Sequence, residues 1–387
     1  MNDTKRALSR RSFLKFVAFA ATAAVLDACT PQSTPQPTTP AAASSPTKPA
    51  ATATPAPTAA KLEKELRVLN WGDYIDFAIK PFEEKFNCKV TIEYFGSEDE
   101  AISKIKAAGF GVYDTVNLGV GYLKPVVQMG LIEPLDVKRI PSYELSYERF
   151  KPGPFEVDGK IYGVCYAWGT NALMYNTELA PAPVDSWAAF WDPKFAGKTS
   201  LVDKAKDQYL AAMLYLGLDF VHPSLDDWPK VTKAIKERVK LMKTLWSSGD
   251  DITRYIINKE VWLADMYDGL GHQIEEQFPA AKYVIPKEGT YGWFDGPLMV
   301  KGAPHPNLTY EWINFVTSTE MAKLVAEQVK YCPGNSKVAD LLDPKLRTQL
   351  GLDKPAETLK GLRFWEALGP EWDRRILDAW TEAKASA

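Results

Sequence analysis

Histidine and cysteine are scarce in this chain, and their positions argue against a metal site. The 387 residues include three histidines and four cysteines. There is no CxxC pair, and the histidines lack the spacing of metal ligands, which disfavours a zinc module. We therefore expect no metal and no other cofactor. Cys88, Cys165 and Cys332 are widely spaced; we expect mostly buried, structural thiols, and no disulfide is predicted among them.

The local signatures of common enzymes are missing as well. The sequence has no GxSxG elbow, no P-loop, no HExxH pair and no dinucleotide fingerprint that opens a strand–helix unit. Paired acids such as Asp250-Asp251 and Glu275-Glu276 are typical of solvated faces. A glycosidase needs two acids at a defined separation in space, which one sequence does not show. We expect no enzyme, although an anchored extracellular hydrolase remains an alternative.

Basic residues are not in excess. Lysine and arginine total 46 against 49 acidic residues, for a net charge of −3. A chain without a basic patch lacks the electrostatic footprint of a nucleic-acid-binding protein. No apolar run beyond the N-terminal region approaches the roughly 20 residues that cross a bilayer. We therefore expect no nucleic-acid partner and a folded part without a membrane span.

The first 29 residues predict an export signal. A basic start precedes an uncharged apolar run at residues 16–26, which is shorter than the roughly 20 residues of a membrane helix. An uncleaved membrane helix is the alternative. Two further patterns resemble a twin-arginine export motif and a lipobox: Ser9-Arg10-Arg11-Ser12-Phe13-Leu14-Lys15 and Leu26-Asp27-Ala28-Cys29. Together they predict that Cys29 is lipidated and that the protein works on the outer face of a membrane.

The next segment, residues 30–61, predicts a disordered linker. Residues 30–60 carry eight prolines, one charge and no aromatic side chain. Such a composition buries too little apolar area to offset its ordering entropy, and proline favours an extended spacer.

Tryptophan is abundant after the linker. Most of these side chains should pack in the core, but the excess also favours an aromatic-lined site, since aromatic faces attract cations. The twelve are Trp71, Trp168, Trp187, Trp191, Trp228, Trp246, Trp262, Trp293, Trp312, Trp365, Trp372 and Trp380.

The pattern from residue 62 onward alternates strands and helices. Strands are predicted at 66–71, 88–95 and 114–118, and helices at 77–86, 97–108 and 123–129. This alternation predicts a mostly parallel sheet, in which ligands gather beyond the carboxyl ends of the strands. Further along, strand formers fill 161–176 with a predicted break at 169–171, a long helix is predicted at 228–247, and strands follow at 262–268 and 293–300.

Aromatic residues and acids recur together at the predicted strand ends. The sets are Trp71 with Asp73 and Tyr74, Tyr267 with Asp268, and Trp293 with Asp295. Aromatic walls would hold a methylene chain or an ammonium group, and carboxylates would bind the charged ends. This favours a cationic or polyhydroxylated small ligand.

Six stretches carry a resemblance to a known family. They are Leu69-Asn70-Trp71-Gly72-Asp73-Tyr74, Tyr113-Asp114, Tyr166-Ala167-Trp168-Gly169-Thr170-Asn171, Ser186-Trp187-Ala188-Ala189-Phe190-Trp191, Trp293-Phe294-Asp295 and Trp312-Ile313-Asn314-Phe315. With them, residues 66–384 resemble the periplasmic solute-binding proteins of ABC transporters, and among these the spermidine/putrescine-binding group.

The resemblance implies a two-lobed α/β fold of the periplasmic-binding-protein type, type II-like. Each lobe would hold a mixed, mostly parallel sheet flanked by helices, and crossing strands would form the hinge. Lobe 1 would comprise residues 62–169 and 296–332, and lobe 2 residues 170–295 and 333–387.

The resemblance also implies a ligand site in the cleft between the lobes. Trp293 would be the aromatic platform and Asp295 the carboxylate for an amino group, while Tyr267 stands where the family usually has a tryptophan. The full set of expected ligand-binding residues is Trp71, Asp73, Tyr74, Tyr122, Trp168, Asp207, Tyr267, Asp268, Trp293 and Asp295.

Three positions depart from the family pattern. Gly119 and Gly121 stand where the family has a serine and an aromatic residue, and Lys204 with Asp207 stands where it has two acids. A lysine that faces a polyamine would repel it. Either Lys204 points away from the site, or the ligand is not a typical polyamine; an anion or a zwitterion would suit a lysine better.

The function that the resemblance implies is that of a lipid-anchored, extracytoplasmic substrate-binding component of an ABC importer. It would act as a monomer, bind a polyamine-like amine and deliver it to the permease and ATPase complex, without performing chemistry. The alternatives are another solute (a different amine, an aminophosphonate, a thiamine-like cation or a metal complex), the hydrolase, and an adhesion or sensor module.

Overall fold

The computed structural model describes residues 62–72, 74–181, 183–366 and 368–386. The predicted export signal, the lipidation of Cys29 and the linker at residues 30–61 lie outside these residues. The candidate ligand residue Asp73 lies outside them as well.

The strands and helices are spread along the whole described chain. The strands are β1 (Glu65–Trp71), β2 (Lys89–Phe95), β3 (Thr115–Gly119), β4 (Ile132–Glu133), β5 (Glu156–Val157), β6 (Lys160–Ile161), β7 (Ala167–Asn176), β8 (Thr199–Val202), β9 (Met242–Trp246), β10 (Leu263–Tyr267), β11 (Ala281–Val284), β12 (Tyr291–Val300), β13 (Cys332–Pro333) and β14 (Arg363–Phe364). The helices are α1 (Ile79–Phe86), α2 (Glu98–Ala108), α3 (Leu123–Gln128), α4 (Ala205–Tyr215), α5 (Trp228–Leu241), α6 (Gly249–Ile257), α7 (Asp268–Gln277), α8 (Pro306–Val316), α9 (Thr319–Leu324), α10 (Pro344–Gln349), α11 (Pro355–Gly361) and α12 (Pro370–Ala385).

The first part of the chain confirms the predicted alternation of strands and helices. Strand β1 lies between β2 and β3 and is parallel to both. Helix α2 begins after Ser97, whose hydroxyl accepts the Glu100 amide at 3.3 Å. Three acids in the first turn of α2 complement the helix dipole.

The two longest strands, β7 and β12, join the two ends of the main sheet. The sheet has the order β2-β1-β3-β12-β7-β10-β8-β9. Its outer strands pair in parallel, whereas β12 is antiparallel to β3 and β7, and β7 is antiparallel to β10. The sheet is therefore mixed, with its parallel pairs on either side of an antiparallel centre.

The predicted break at residues 169–171 does not occur, because β7 runs through it without interruption. Gly169 pairs with Trp293 of β12. The side chains of Asp268 and Trp293 occupy the space that a β-carbon on Gly169 would need. The glycine thus makes room for neighbouring side chains and does not end the strand.

The helix predicted at residues 228–247 is too long. Helix α5 ends at Leu241, and Met242 adopts an extended conformation with φ −70° and ψ 154°. The following residues form β9, which pairs in parallel with β8. Pairing with the sheet edge outweighs the helical pattern here, because it satisfies backbone groups and buries Trp246.

The hydrophobic core has separate clusters at the two ends of the sheet. One is built around Leu69, Val116 and Phe294, and another around Leu173 and Trp380. The described residues nevertheless form a single compact unit. The lobe boundaries proposed from the sequence therefore stay a prediction.

Three of the four cysteines are described, and all three are free thiols. Cys165 and Cys332 are buried, as expected, and burial raises the pKa of both thiols well above the usual value. Within the described ranges, no cluster of three potential metal ligands occurs. None of the helices described is both long and apolar enough to cross a membrane.

A buried ion pair ties together the elements of the β8–β9–β10 end of the sheet. Arg238 on α5 lies 2.9 Å from Asp265 on β10, and both side chains are almost fully buried. The Asp265 carboxylate also accepts the Val202 amide at 2.7 Å, the Gln208 side chain at 3.0 Å and the Trp246 indole at 3.3 Å. One carboxylate thus joins β8, β9, β10, α4 and α5.

Replacing this carboxylate should strongly destabilise the fold. Asp265→Ala leaves the Arg238 charge buried without a partner, which typically costs about 3–5 kcal/mol. Urea denaturation at neutral pH measures the loss. As the matched control, Glu382→Ala removes an exposed carboxylate that pairs with Lys236 at 3.0 Å, and it should change the stability little. Equal effects of the two substitutions would contradict the structural role given to Asp265.

Candidate functional site

A cavity of about 620 Å³ opens at the carboxyl ends of β1, β3 and β10. Six of the ten predicted site residues line it: Trp71, Tyr74, Asp207, Tyr267, Trp293 and Asp295. Strands β1 and β3 are parallel to each other, so their carboxyl ends meet at one edge. The cavity therefore lies where the strand–helix pattern predicted it.

Strand β12 carries two side chains into the cavity, Trp293 and Asp295. Residues two apart share one face of a strand, which explains why both point the same way. Each is paired with a glycine on a neighbouring strand, Trp293 with Gly169 and Asp295 with Gly119. These glycines leave open the space that the two side chains use.

Gly119 explains how two carboxylates come together. A β-carbon there would lie 3.3 Å from a carboxylate oxygen of Glu98 and 3.4 Å from one of Asp295. A side chain at this position would therefore crowd both acids. The glycine lets the Glu98 and Asp295 side chains approach the same point.

Aromatic rings form a continuous wall along the cavity. The Trp293 ring lies 4.8 Å from that of Tyr331 at an interplanar angle of 88°, and 6.5 Å from that of Tyr267 at 89°. Tyr331 in turn lies 5.8 Å from Tyr74. Edge-to-face contacts of this kind hold the rings in place against one another.

The Asp295 carboxyl is the most perturbed acid on this wall. Burial, together with the neighbouring Glu98 charge, raises the pKa of Asp295 to about 7, although Lys206 and Lys204 act in the opposite direction. The side chain therefore changes its charge near neutral pH. A cationic group that entered the cavity would favour the ionised form.

Asp207 is buried and already has its hydrogen-bond partners. Its carboxylate accepts the side-chain amide of Asn171 at 3.0 Å and the hydroxyl groups of Tyr291 and Tyr267. Its contribution to the cavity is to orient the Tyr267 ring. The candidate role of Asp207 in contacting a ligand stays a prediction.

Lys204 points into the cavity. Its ammonium nitrogen lies 4.8 Å from the centre of the Trp71 ring and 5.2 Å from that of Tyr267. Of the two explanations offered for this departure from the family pattern, the structure excludes the one in which the lysine turns away.

Three other predicted site residues do not line the cavity. Trp168 is buried in the core, where its indole donates to the Pro333 carbonyl at 3.2 Å. Tyr122 packs against Trp365, with ring centres 6.0 Å apart.

Asp268 is the third of these residues. It begins α7 and accepts the Thr170 amide at 2.8 Å and the Gly269 amide at 2.9 Å. Burial raises the pKa of Asp268 to about 6. Asp268 holds β7 to the start of α7.

The sequence analysis missed several residues that line the cavity. Glu98 falls within the helix predicted at 97–108 and Trp365 among the twelve tryptophans, and neither is in the predicted set of ligand-binding residues. Lys206, two positions after Lys204, lies 4.0 Å from Glu98. Tyr331 stands next to no motif. For one of these residues the sequence did carry a local signal. Glu98 is an acid that follows Ser97, close to the end of the strand predicted at 88–95.

Comparisons with known proteins agree with this geometry. The family profile described as "Bacterial extracellular solute-binding protein" matches residues 78–350. A putrescine/cadaverine-binding protein of Pseudomonas aeruginosa is 24% identical over 84% of this chain and 95% of its own length. A spermidine/putrescine-binding periplasmic protein of Escherichia coli is 26% identical over 78% of this chain and 86% of its own length.

Solved structures show the same fold. A putative spermidine/putrescine ABC transporter protein from Listeria monocytogenes is 26% identical, covers 84% of this chain and all of its own length (100%), and gives a TM-score of 0.77. The spermidine/putrescine substrate-binding protein of Streptococcus pneumoniae is 24% identical over 84% of this chain and 99% of its own, with a TM-score of 0.71. The expected periplasmic-binding-protein fold is confirmed.

The raised pKa of Asp295 should make the stability of the ligand-free protein depend on pH. The folded state binds this proton more tightly than the unfolded state, in which the ordinary value is 3.8. Stability therefore falls as the pH rises from about 4 to about 7. Urea denaturation gives the free energy of unfolding at pH 5 and at pH 8. Between these two values the wild type should lose on the order of 2 kcal/mol more than Asp295→Asn does. The exposed rim residue Asp250 gives the control: Asp250→Asn should follow the wild type. Equal pH dependence in wild type and Asp295→Asn would refute the assignment.

Proposed function

Because the chain belongs to the family of bacterial extracellular solute-binding proteins, we propose that it is the substrate-binding component of an ABC importer. Its ligand would be a small amine, bound in the cavity that Trp293 and Asp295 line. The names of the relatives, which specify putrescine, cadaverine or spermidine, support an amine.

The observation that carries this proposal is the pairing of Trp293 and Asp295 on one face of β12. An aromatic face attracts an ammonium group and its methylene chain, and a half-buried carboxylate forms a charge-assisted hydrogen bond with it. The cavity is also partly enclosed by Tyr74, Tyr267 and Tyr331. Enclosure removes water and strengthens both attractions.

The mechanism would be closure of two lobes around the ligand. Strands β7 and β12 connect the two ends of the sheet, so small changes in their backbone angles would rotate one end relative to the other. Ligand contacts from both sides would favour the closed form, which would then dock on the permease. The lobe boundaries at residues 62–169 with 296–332, and 170–295 with 333–387, belong to this proposal.

The remaining features of the proposal come from the sequence. The twin-arginine motif, the lipobox at Cys29 and the proline-rich residues 30–61 support a lipid-anchored protein that is held near its permease on the outer face of the membrane. In this role the protein is a monomer that binds its ligand and performs no chemistry on it.

Calorimetry on a panel of amines tests the proposed site. With putrescine, spermidine, agmatine and 4-aminobutanoate as probes, at least one should bind, and Trp293→Ala and Asp295→Asn should each weaken that binding about 10- to 100-fold. The loss follows from removing the aromatic face or the charge that meets the ammonium group.

The control is Asp340→Asn, which changes an exposed carboxylate outside the cavity and should leave the affinity unchanged. Unaltered affinity in both cavity variants would overturn the site assignment. Turnover of any probe would favour the hydrolase instead.

A further inference from the structure

We infer that Lys204 determines the specificity of the cavity, and that it selects a zwitterion, an amine with an anionic group at its far end, over a diamine. The inference rests on the function proposed above and narrows its ligand class. The basis of the inference is a comparison of the charged groups in the cavity: some already have partners, and others do not.

Lys204 occupies the position where an aromatic site would hold one end of a diamine. Its ammonium lies over both the Trp71 and the Tyr267 ring, which is the arrangement that binds a ligand cation. The Lys204 amide donates to the Val202 carbonyl at 2.8 Å, which positions the start of the side chain at the end of β8. The protein therefore supplies its own cation at this point.

Two of the interior acids already have partners. Glu98 lies 4.0 Å from Lys206, whose ammonium also stands 4.6 Å from the centre of the Trp365 ring. The Asp207 carboxylate accepts three hydrogen bonds from neighbouring side chains. Glu98 therefore has a cationic neighbour, and the Asp207 oxygens are occupied by neutral donors, which leave its charge in place but fewer acceptor sites for a ligand ammonium.

Apart from the exposed rim residue Asp250, one carboxylate of the cavity forms neither an ion pair nor a set of side-chain hydrogen bonds like that of Asp207, and one ammonium forms no ion pair. Among the described residues, Asp295 forms no ion pair with a base, and Lys204 forms none with an acid, at the 4.0 Å limit of such pairs. A ligand ammonium would therefore meet Asp295. A ligand anion would meet the three N–H donors of Lys204.

The helix beside Lys204 favours the same orientation. Helix α4 begins at Ala205, so its N-terminus, which carries a partial positive charge, stands at the Lys204 end of the cavity; the first turn also holds Asp207, whose carboxylate accepts hydrogen bonds from three side chains. The second ammonium of a diamine would face Lys204 and this helix end together. A carboxylate or phosphonate in that place would be attracted to both.

The energetic consequence is a preference between ligands of nearly equal length. Like charges placed together in a partly desolvated site are strongly unfavourable, whereas a close pair of opposite charges is favourable. Putrescine and 4-aminobutanoate share one ammonium end and differ in whether the other end is a cation or an anion. The ratio of their affinities therefore reports the charge that the cavity presents at Lys204.

Calorimetry with wild type and Lys204 variants tests the inference. Wild type should bind 4-aminobutanoate at least about 10-fold more tightly than putrescine. Lys204→Glu should reverse this preference by a similar factor, because it places a carboxylate at the aromatic rings. Lys204→Met keeps the length of the side chain without its charge, so the preference should shrink towards equality. A third probe, 3-aminopropylphosphonate, distinguishes the anionic group: tighter binding than 4-aminobutanoate identifies a phosphonate, and weaker binding a carboxylate.

Lys345→Glu provides the matched control, because Lys345 is exposed, outside the cavity and at the start of α10. Its charge reversal should leave the ratio unchanged. If wild type binds putrescine at least as tightly as 4-aminobutanoate, or if the ratio is the same in Lys204→Met, the inference fails and the proposed amine-binding function stands. If no probe binds the wild type, both fail.

Discussion

The absence of side chains at Gly119 and Gly169 is the constraint on which the site depends. Each glycine is paired with a cavity-lining residue of β12, Gly119 with Asp295 and Gly169 with Trp293. In a sheet, directly opposite side chains normally pack against each other and fill the space between strands. At Gly119 that space is left for the Glu98 and Asp295 carboxylates, and at Gly169 it is left for Asp268 and the Trp293 ring. A mixed sheet that would otherwise be filled by its own side chains thus opens a cavity at its centre.

Electrostatics in this cavity follow from burial. Asp295 is partly desolvated and lies near the Glu98 charge, so its ionised form is costly and the pKa of the carboxyl rises to about 7. Lys204 is held over two rings without an acidic partner among the described residues. A ligand that supplies the two missing partner charges would relieve both. In the proposed function, the same burial that destabilises the ionised form of Asp295 would favour a ligand that brings the missing charges, which connects the stability of the protein with the chemistry of the ligand.

Much of the fold was predictable because local sequence patterns determine its strands and helices. The strand–helix alternation from β1 to α3 follows from apolar periodicity and from the cap at Ser97, and the structure confirms it. The errors occurred where distant contacts override local preference. Residues 242–246 continue a helical pattern but join the sheet edge beside β8. Glycine often interrupts a strand, but Gly169 lies inside the continuous strand β7. The side chains of Asp268 and Trp293, which are distant in sequence, occupy the space that it leaves.

The amino-acid sequence by itself determined the class of the protein, the strand ends at which a site would form, and the aromatic and acidic residues carried there. It also showed that Lys204 breaks the family pattern. Only the tertiary structure decided that Lys204 faces inward, that Glu98 and Asp295 both line the cavity, and that Trp168, Tyr122 and Asp268 lie outside its lining. The physical reason is that periodicity and turn residues act over a few positions. The meeting of side chains from β1, α2, α4, β10 and β12 depends on strand order and register, which long-range packing sets.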